Sequence, residues 1–130
     1  MADYYQQIGQ QALTVVGGSV QKLLLYAEVE DGVISADIFY QPPKDNVVHF
    51  RFAPEALRNV INEFWERGAV KIKPRSWAAL RFIVGSDGRF TTDLTYPDQF
   101  NAKEVLSDRR PRVVAEIFPG SKVNYSKPRG

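Results

Sequence analysis

The stretch KLLLYAEVEDGVISADIFY, residues 22–40, decides the fold, because it pairs with itself about Asp31-Gly32. A two-residue type I′ turn needs positive φ at both central positions, and Asp-Gly supplies that at low steric cost. Centring a hairpin there sets Val29 opposite Ile34, Ala27 opposite Ala36, Leu25 opposite Ile38 and Leu23 opposite Tyr40. All eight point to one face, since side chains alternate along a strand. The opposite face presents Glu30, Glu28, Tyr26 and Lys22, facing Val33, Ser35, Asp37 and Phe39 or their neighbours. That outer face suits a solvated sheet surface and a partner-binding face equally.

Downstream, Gln41-Pro42-Pro43-Lys44-Asp45 is a loop, since two prolines do not continue a ladder. Val48, Phe50 and Phe52 alternate with His49 and Arg51, which predicts a third strand. Pro54 suits a first helical position, and Leu57, Val60, Ile61 and Phe64 form an apolar stripe. This predicts a helix over 54–67, ended by Gly68 and followed by a basic connection over 69–75. A second hairpin is expected over 77–96, with Ser86-Asp87-Gly88 as a three-residue loop and Gly88 at its left-handed position. Its register puts Ala78, Leu80, Phe82, Val84, Phe90, Thr92, Leu94 and Tyr96 on one face and Arg81 opposite Asp93. Asn101 with Glu104 reads as a capping box, and a last helix runs from Asp108 or Pro111 to Phe118, stopped by Pro119-Gly120. Upstream, Asp3 as N-cap with Tyr5, Ile8, Ala12 and Val15 or Val16 predicts a helix over 3–16, closed by Gly17-Gly18.

The order is helix, three strands, helix, two strands, helix. It gives an α+β domain with an antiparallel sheet of about five strands, two hairpins plus one strand, packed with about three helices. Residues 1–120 are expected to form this single domain, and 121–130, SKVNYSKPRG, a flexible basic C-terminal tail.

A chain of 130 residues suits one domain, and 44% hydrophobic with 25% charged residues is globular rather than disordered composition. The absence of cysteine excludes disulfides, thiolate metal sites and a cysteine nucleophile. MADYYQQIGQ lacks a basic-then-apolar signal pattern, and no apolar run suggests a membrane span, so the expected location is cytoplasmic, with no membrane partner. Charge is uneven. Residues 1–66 carry four basic and nine acidic side chains, a net of −5; residues 67–130 carry thirteen basic and six acidic, a net of +7. Such asymmetry marks either a charged partner or two halves that interleave in the fold.

The chemistry-bearing residues point away from catalysis. His49 is the only histidine and sits on a strand beside Arg51, where a partly exposed sheet residue is the plain reading. Glu28, Glu30, Asp31 and Asp37 invite a two-carboxylate or Mg²⁺ reading, but the same positions fit a solvated face. No GxSxG, GxGxxG or P-loop pattern is present. No enzyme, metal or cofactor is therefore expected. Lys71, Lys73, Arg75, Arg109, Arg110, Arg112, Lys122, Lys127 and Arg129 supply an alternative, phosphate contacts in a nucleic-acid-binding accessory protein. No helix-turn-helix glycine turn or RNP-like aromatic motif accompanies them. Trp65 and Trp77 are candidate binding hot spots, packing being the simpler reading for Trp65.

Ser76-Trp77-Ala78-Ala79-Leu80, then Ser86-Asp87-Gly88-Arg89-Phe90, then Asp93 and Tyr96 resemble the YezG-like family of immunity proteins. The strand Leu24-Leu25-Tyr26-Ala27-Glu28-Val29 with its Asp31-Gly32 turn also fits, as does Arg109-Arg110 before a short apolar helix. The resemblance spans most of 5–118; in the last helix Val114, Glu116 and Phe118 replace the family's aromatic series. It implies an antitoxin of a bacterial polymorphic-toxin or contact-dependent growth inhibition system, one that captures a cognate toxin domain, often a nuclease, in a 1:1 complex. It supplies no catalytic residue. With it, Tyr26, Glu28, Glu30, Asp31 and Asp37 are expected to form part of the toxin-facing surface, opposing a basic groove. Nucleic acid is not a partner in this reading, and exposed aromatics such as Phe39 are compatible with a homodimer.

Overall fold

The computed structural model describes residues 2–30, 33–71, 77–100, 103–104 and 106–124. The chain begins with α1, Ala2–Val16, then β1, Lys22–Glu30, β2, Val33–Gln41, and β3, Val47–Phe52. It continues through α2, Glu55–Lys71, β4, Ala79–Gly85, and β5, Phe90–Thr95. A 3₁₀ turn at Pro97–Gln99, α3, Leu106–Ile117, and β6, Lys122–Asn124, complete it. Among the described residues there are three α-helices and one mixed sheet in the order β5-β4-β1-β2-β3-β6.

The first hairpin pairs as its sequence dictates: Val29 with Ile34, Ala27 with Ala36, Leu25 with Ile38 and Leu23 with Tyr40. Their face is buried against α1 and α2, with Ile8, Ala12, Leu57, Ile61, Phe64 and Phe82 completing one core. Each such fully buried large side chain contributes roughly 1.5–3 kcal/mol. The second hairpin keeps its expected register, including Arg81 opposite Asp93, and Gly88 takes φ 81° in the turn. A side chain there would meet the left-handed penalty that glycine avoids. Helix α1 ends where Gly18 donates to the Leu13 carbonyl and Gly17 to that of Thr14, the two bonds of a Schellman cap.

Four expectations are corrected. The outer face of the first hairpin is not solvated along its middle: Leu24, Tyr26 and Phe39 lie in a second core with Val48, Phe50, Ala79, Val113, Val114 and Phe118. Helix α3 covers it, so the central strands are buried on both faces and the sheet is the middle of three layers. The sheet also gains a sixth strand, since Val47, Val48 and His49 pair parallel with Lys122, Val123 and Asn124. The start of the expected tail is thus a sheet edge; residues 125–130 lie outside the described residues. Helix α2 runs past Gly68 to Lys71, because an isolated glycine costs a helix only about 1 kcal/mol relative to alanine. Helix α3 begins at Leu106 and contains Pro111, which sequence reasoning treats as a start. Asn101 lies outside the described residues, so its capping box with Glu104 does too.

Candidate functional site

Helix α3 runs along β1 from the turn end of the first hairpin toward its base. At the base, Lys22 Nζ donates to the Ile117 carbonyl at 3.0 Å, a cation on carbonyls that α3 leaves unpaired at its C-terminus. Toward the turn end, the contacts between helix and sheet become polar. The Tyr26 hydroxyl donates to Glu28 Oε2 at 2.6 Å, and Arg109 Nη1 donates to Glu28 Oε1 at 3.4 Å. The Arg109 guanidinium also stacks on the Phe100 ring, 3.7 Å from its centroid. Arg110 Nη1 lies 2.8 Å from Asp37 Oδ2, an ion pair whose angle does not make a hydrogen bond. Farther along, Arg112 grips Glu104 through Nε and Nη2 and reaches Glu116 Oε1 at 2.8 Å. Arg81, from β4, takes the other oxygen of Glu116 at 2.8 Å.

These charges titrate in opposite senses. Burial pushes the Asp37 carboxyl above its ordinary value, and the Arg110 guanidinium offsets this only in part. Burial, reinforced by the accepting Glu28 carboxylate, also raises the Tyr26 phenol. Glu104 is held low by its Arg112 hydrogen bonds. For Glu116, desolvation is the largest single effect and acts upward, but Arg112 and Arg81 together outweigh it and lower the value.

The five residues expected to face a partner therefore divide. Tyr26, Glu28 and Asp37 do come together, but beneath α3: Tyr26 is 1% and Asp37 4% exposed, and the Glu28 side chain, partly buried, is 13% exposed. Their expected exposure is corrected by the second core and its arginines. Glu30 remains exposed at the end of β1, and Asp31 lies outside the described residues. The unequal charge of the two chain halves is partly consumed here, since carboxylates of the acidic half pair with arginines of the basic half.

What remains open on this face is a corner that the sequence reading passed over. Beyond α3, Val33 is 69% and Phe52 59% exposed. Phe52 lies opposite Asp37 and packs edge-on against the buried Phe50, with centroids 4.7 Å apart. Val33, Ser35 and Asp37 alternate along β2 on the same face as Phe52. No residue of the corner itself signals it: β3 pairs with β2 only from Asp37 to Tyr40, which leaves the turn end of the hairpin projecting past it. Phe39, by contrast, is fully buried and offers nothing to a dimer.

The other candidates are structural. His49 Nε2 lies 2.9 Å from Asp45 Oδ2, and Asp45 also accepts from the Val47 amide, so this pair closes the loop before β3. Trp77 is 2% exposed, and Trp65 Nε1 donates to its carbonyl at 2.8 Å. A cavity of about 260 Å³ opens between α3 and β5, lined by Tyr26, Arg81, Asp93, Gln99, Phe100 and Arg112 among others. Its two arginines are already held by Glu104 and Glu116. Among the described residues, no three histidine or carboxylate side chains gather as a metal site, and no helix is long and apolar enough to cross a membrane. No family model matches the chain, and a search of curated proteins returns no match.

Proposed function

We propose that this chain acts by binding another protein, as an immunity protein that captures a bacterial toxin domain in a 1:1 complex. The observation that carries the reading is the exposed Phe52 at the end of β3, on the same face as the exposed Val33, which lies four residues along β2 from Phe52's partner Asp37 and opposite Glu30. Exposed aromatic side chains on a rigid sheet are the usual anchors of protein interfaces, because they bury a large area at little cost in side-chain entropy. The resemblance of the two hairpins to immunity proteins gives the class of partner. The carboxylates first assigned to the interface serve it from within: they fix α3, and α3 fixes the sheet beside the corner. Recognition then rests on apolar burial more than on a carboxylate cluster, since Glu28 and Asp37 are already paired.

The test is co-expression with the toxin domain encoded at the C-terminal end of the neighbouring upstream gene. The proposal expects a co-purifying 1:1 complex and restored growth. Growth arrest without a complex contradicts it, and recovery of RNA or DNA with the chain instead supports the nucleic-acid alternative.

A further inference from the structure

The sheet ends on one side in β5, whose only ladder neighbour among the described residues is β4. In that ladder Gly85 donates to the Arg89 carbonyl at 2.9 Å and Ala78 to the Thr95 carbonyl at 2.7 Å. The odd-numbered residues of β5 thus bond inward, and alternation turns the N–H and C=O groups of Phe90, Thr92 and Leu94 outward. Natural edge strands are commonly protected by lysine, proline, a bulge or a covering element. The β5 sequence FTTDLT contains neither lysine nor proline, and Phe90 is 43% exposed while its ring stacks on Phe82.

We propose that β5 pairs antiparallel with β5 of a second copy of this chain, about a two-fold axis at Thr92, so that two sheets join into one. The strand is complementary to itself in this register. Phe90 of each copy faces Leu94 of the other, flanking a Thr92–Thr92 pair, and all three outward-bonding residues find partners. On the opposite face Thr91 meets Asp93, and Arg89 lies diagonal to Asp93 of the other copy. Arg89 can turn to it, since its side chain is 90% exposed and its 3.6 Å pair with Asp87 lies in solvent, where such pairs are weak. Shifting the axis to Asp93 would set two like charges face to face. Shifting it to Thr91 would match Leu94 with Gly88, whose φ of 81° breaks the ladder. Charge at Asp93 and backbone geometry at Gly88 therefore favour the Thr92 axis over either neighbouring one. The surface is independent of the Phe52 corner, which lies beyond the other side of the sheet centre.

Small interfaces of this kind are weak, so sedimentation velocity is run up to on the order of 100 µM. The unaltered chain is expected to sediment as a dimer at the upper end of that range, and its Phe90, Thr92 and Leu94 amides to exchange more slowly as concentration rises. Thr92→Pro removes an outward N–H without touching the β4 ladder, and Thr92→Lys sets two ammonium groups across the axis. Both are expected to be monomeric, with unchanged circular dichroism. A monomer throughout for the unaltered chain, concentration-independent exchange at those amides, or a dimer that survives in either folded variant overturns the proposal.

Discussion

The Tyr26 hydroxyl meets the Glu28 carboxylate at 2.6 Å, two residues along the same strand and on the same face, beneath α3. A phenol and a carboxylate at alternate positions would both face water on an ordinary outer sheet surface. Here each satisfies the other, and Arg109 adds the positive charge that makes burying the carboxylate tolerable. The polar layer is thus the means by which the central strands remain covered on both faces.

Tyr26→Phe tests that bond. It keeps the ring among its apolar neighbours and removes only the donor, leaving Glu28 one bond short. A bond to a charged group is worth about 1.5–3 kcal/mol, so a loss near the lower end of that range is expected in urea unfolding. A change within error would show that the pair does not hold the layer.

Asp37→Asn is expected to stabilise the protein at neutral pH. The folded carboxyl lies above its ordinary value of 3.8, chiefly through burial, so the fold favours the protonated form. Stability contributed by the protonated acid is then lost as pH rises from 3.8 through the folded value. The amide removes that cost, while Arg110, 39% exposed, turns to water. Thermal unfolding should give the variant the higher Tm at pH 7 and a smaller advantage at pH 3. A lower Tm at pH 7 would mean that the Arg110 attraction outweighs desolvation.

Glu104→Gln carries the opposite sign. The Glu104 carboxylate is held below its ordinary value of 4.5, mainly by Arg112, so its contribution is present above 4.5 and lost as pH falls through the folded value. The variant should melt below the unaltered protein at pH 7, and the gap should close in strong acid. A gap that persists there would assign the effect to packing instead of charge.

The two hairpins were legible because local rules determine them: turn residues fix the register, and alternation fixes the face. Pairings such as Leu25 with Ile38 and Arg81 with Asp93 need nothing from elsewhere in the chain. What covers the second face depends on residues about eighty positions away, and strand alternation at Tyr26, Glu28 and Asp37 carries no trace of Arg109 or Arg110. The alternation of charge with aromatic residues therefore read as solvent exposure when it was a buried ion-pair layer. Strand β6 was hidden for a similar reason. Lys122–Asn124 is short and basic, and it pairs in parallel with a strand far upstream. The exposed corner needed the length of β3 relative to β2, a difference set by the Pro42-Pro43 loop and the helix start at Glu55, not by any residue of the corner.

Because Glu28 and Asp37 are neutralised internally, the proposed toxin complex should resist salt. Raising NaCl from about 0.1 M to 1 M shortens the screening length from about 10 Å to 3 Å, which weakens exposed charge contacts far more than apolar burial. Titration calorimetry is expected to show the dissociation constant rising less than about tenfold across that range. A steeper loss would return the interface to charged groups.

The most direct measurement is the affinity of the Phe52→Ser variant for the toxin domain, read by calorimetry and by growth rescue. Phe52 is 59% exposed, so the fold should remain, as circular dichroism would verify. Loss of a central aromatic anchor costs about 2 kcal/mol or more, so binding is expected to fall at least roughly thirtyfold, with rescue lost at low expression. Unchanged affinity and full rescue by the folded variant would contradict the assignment of the binding surface to this corner.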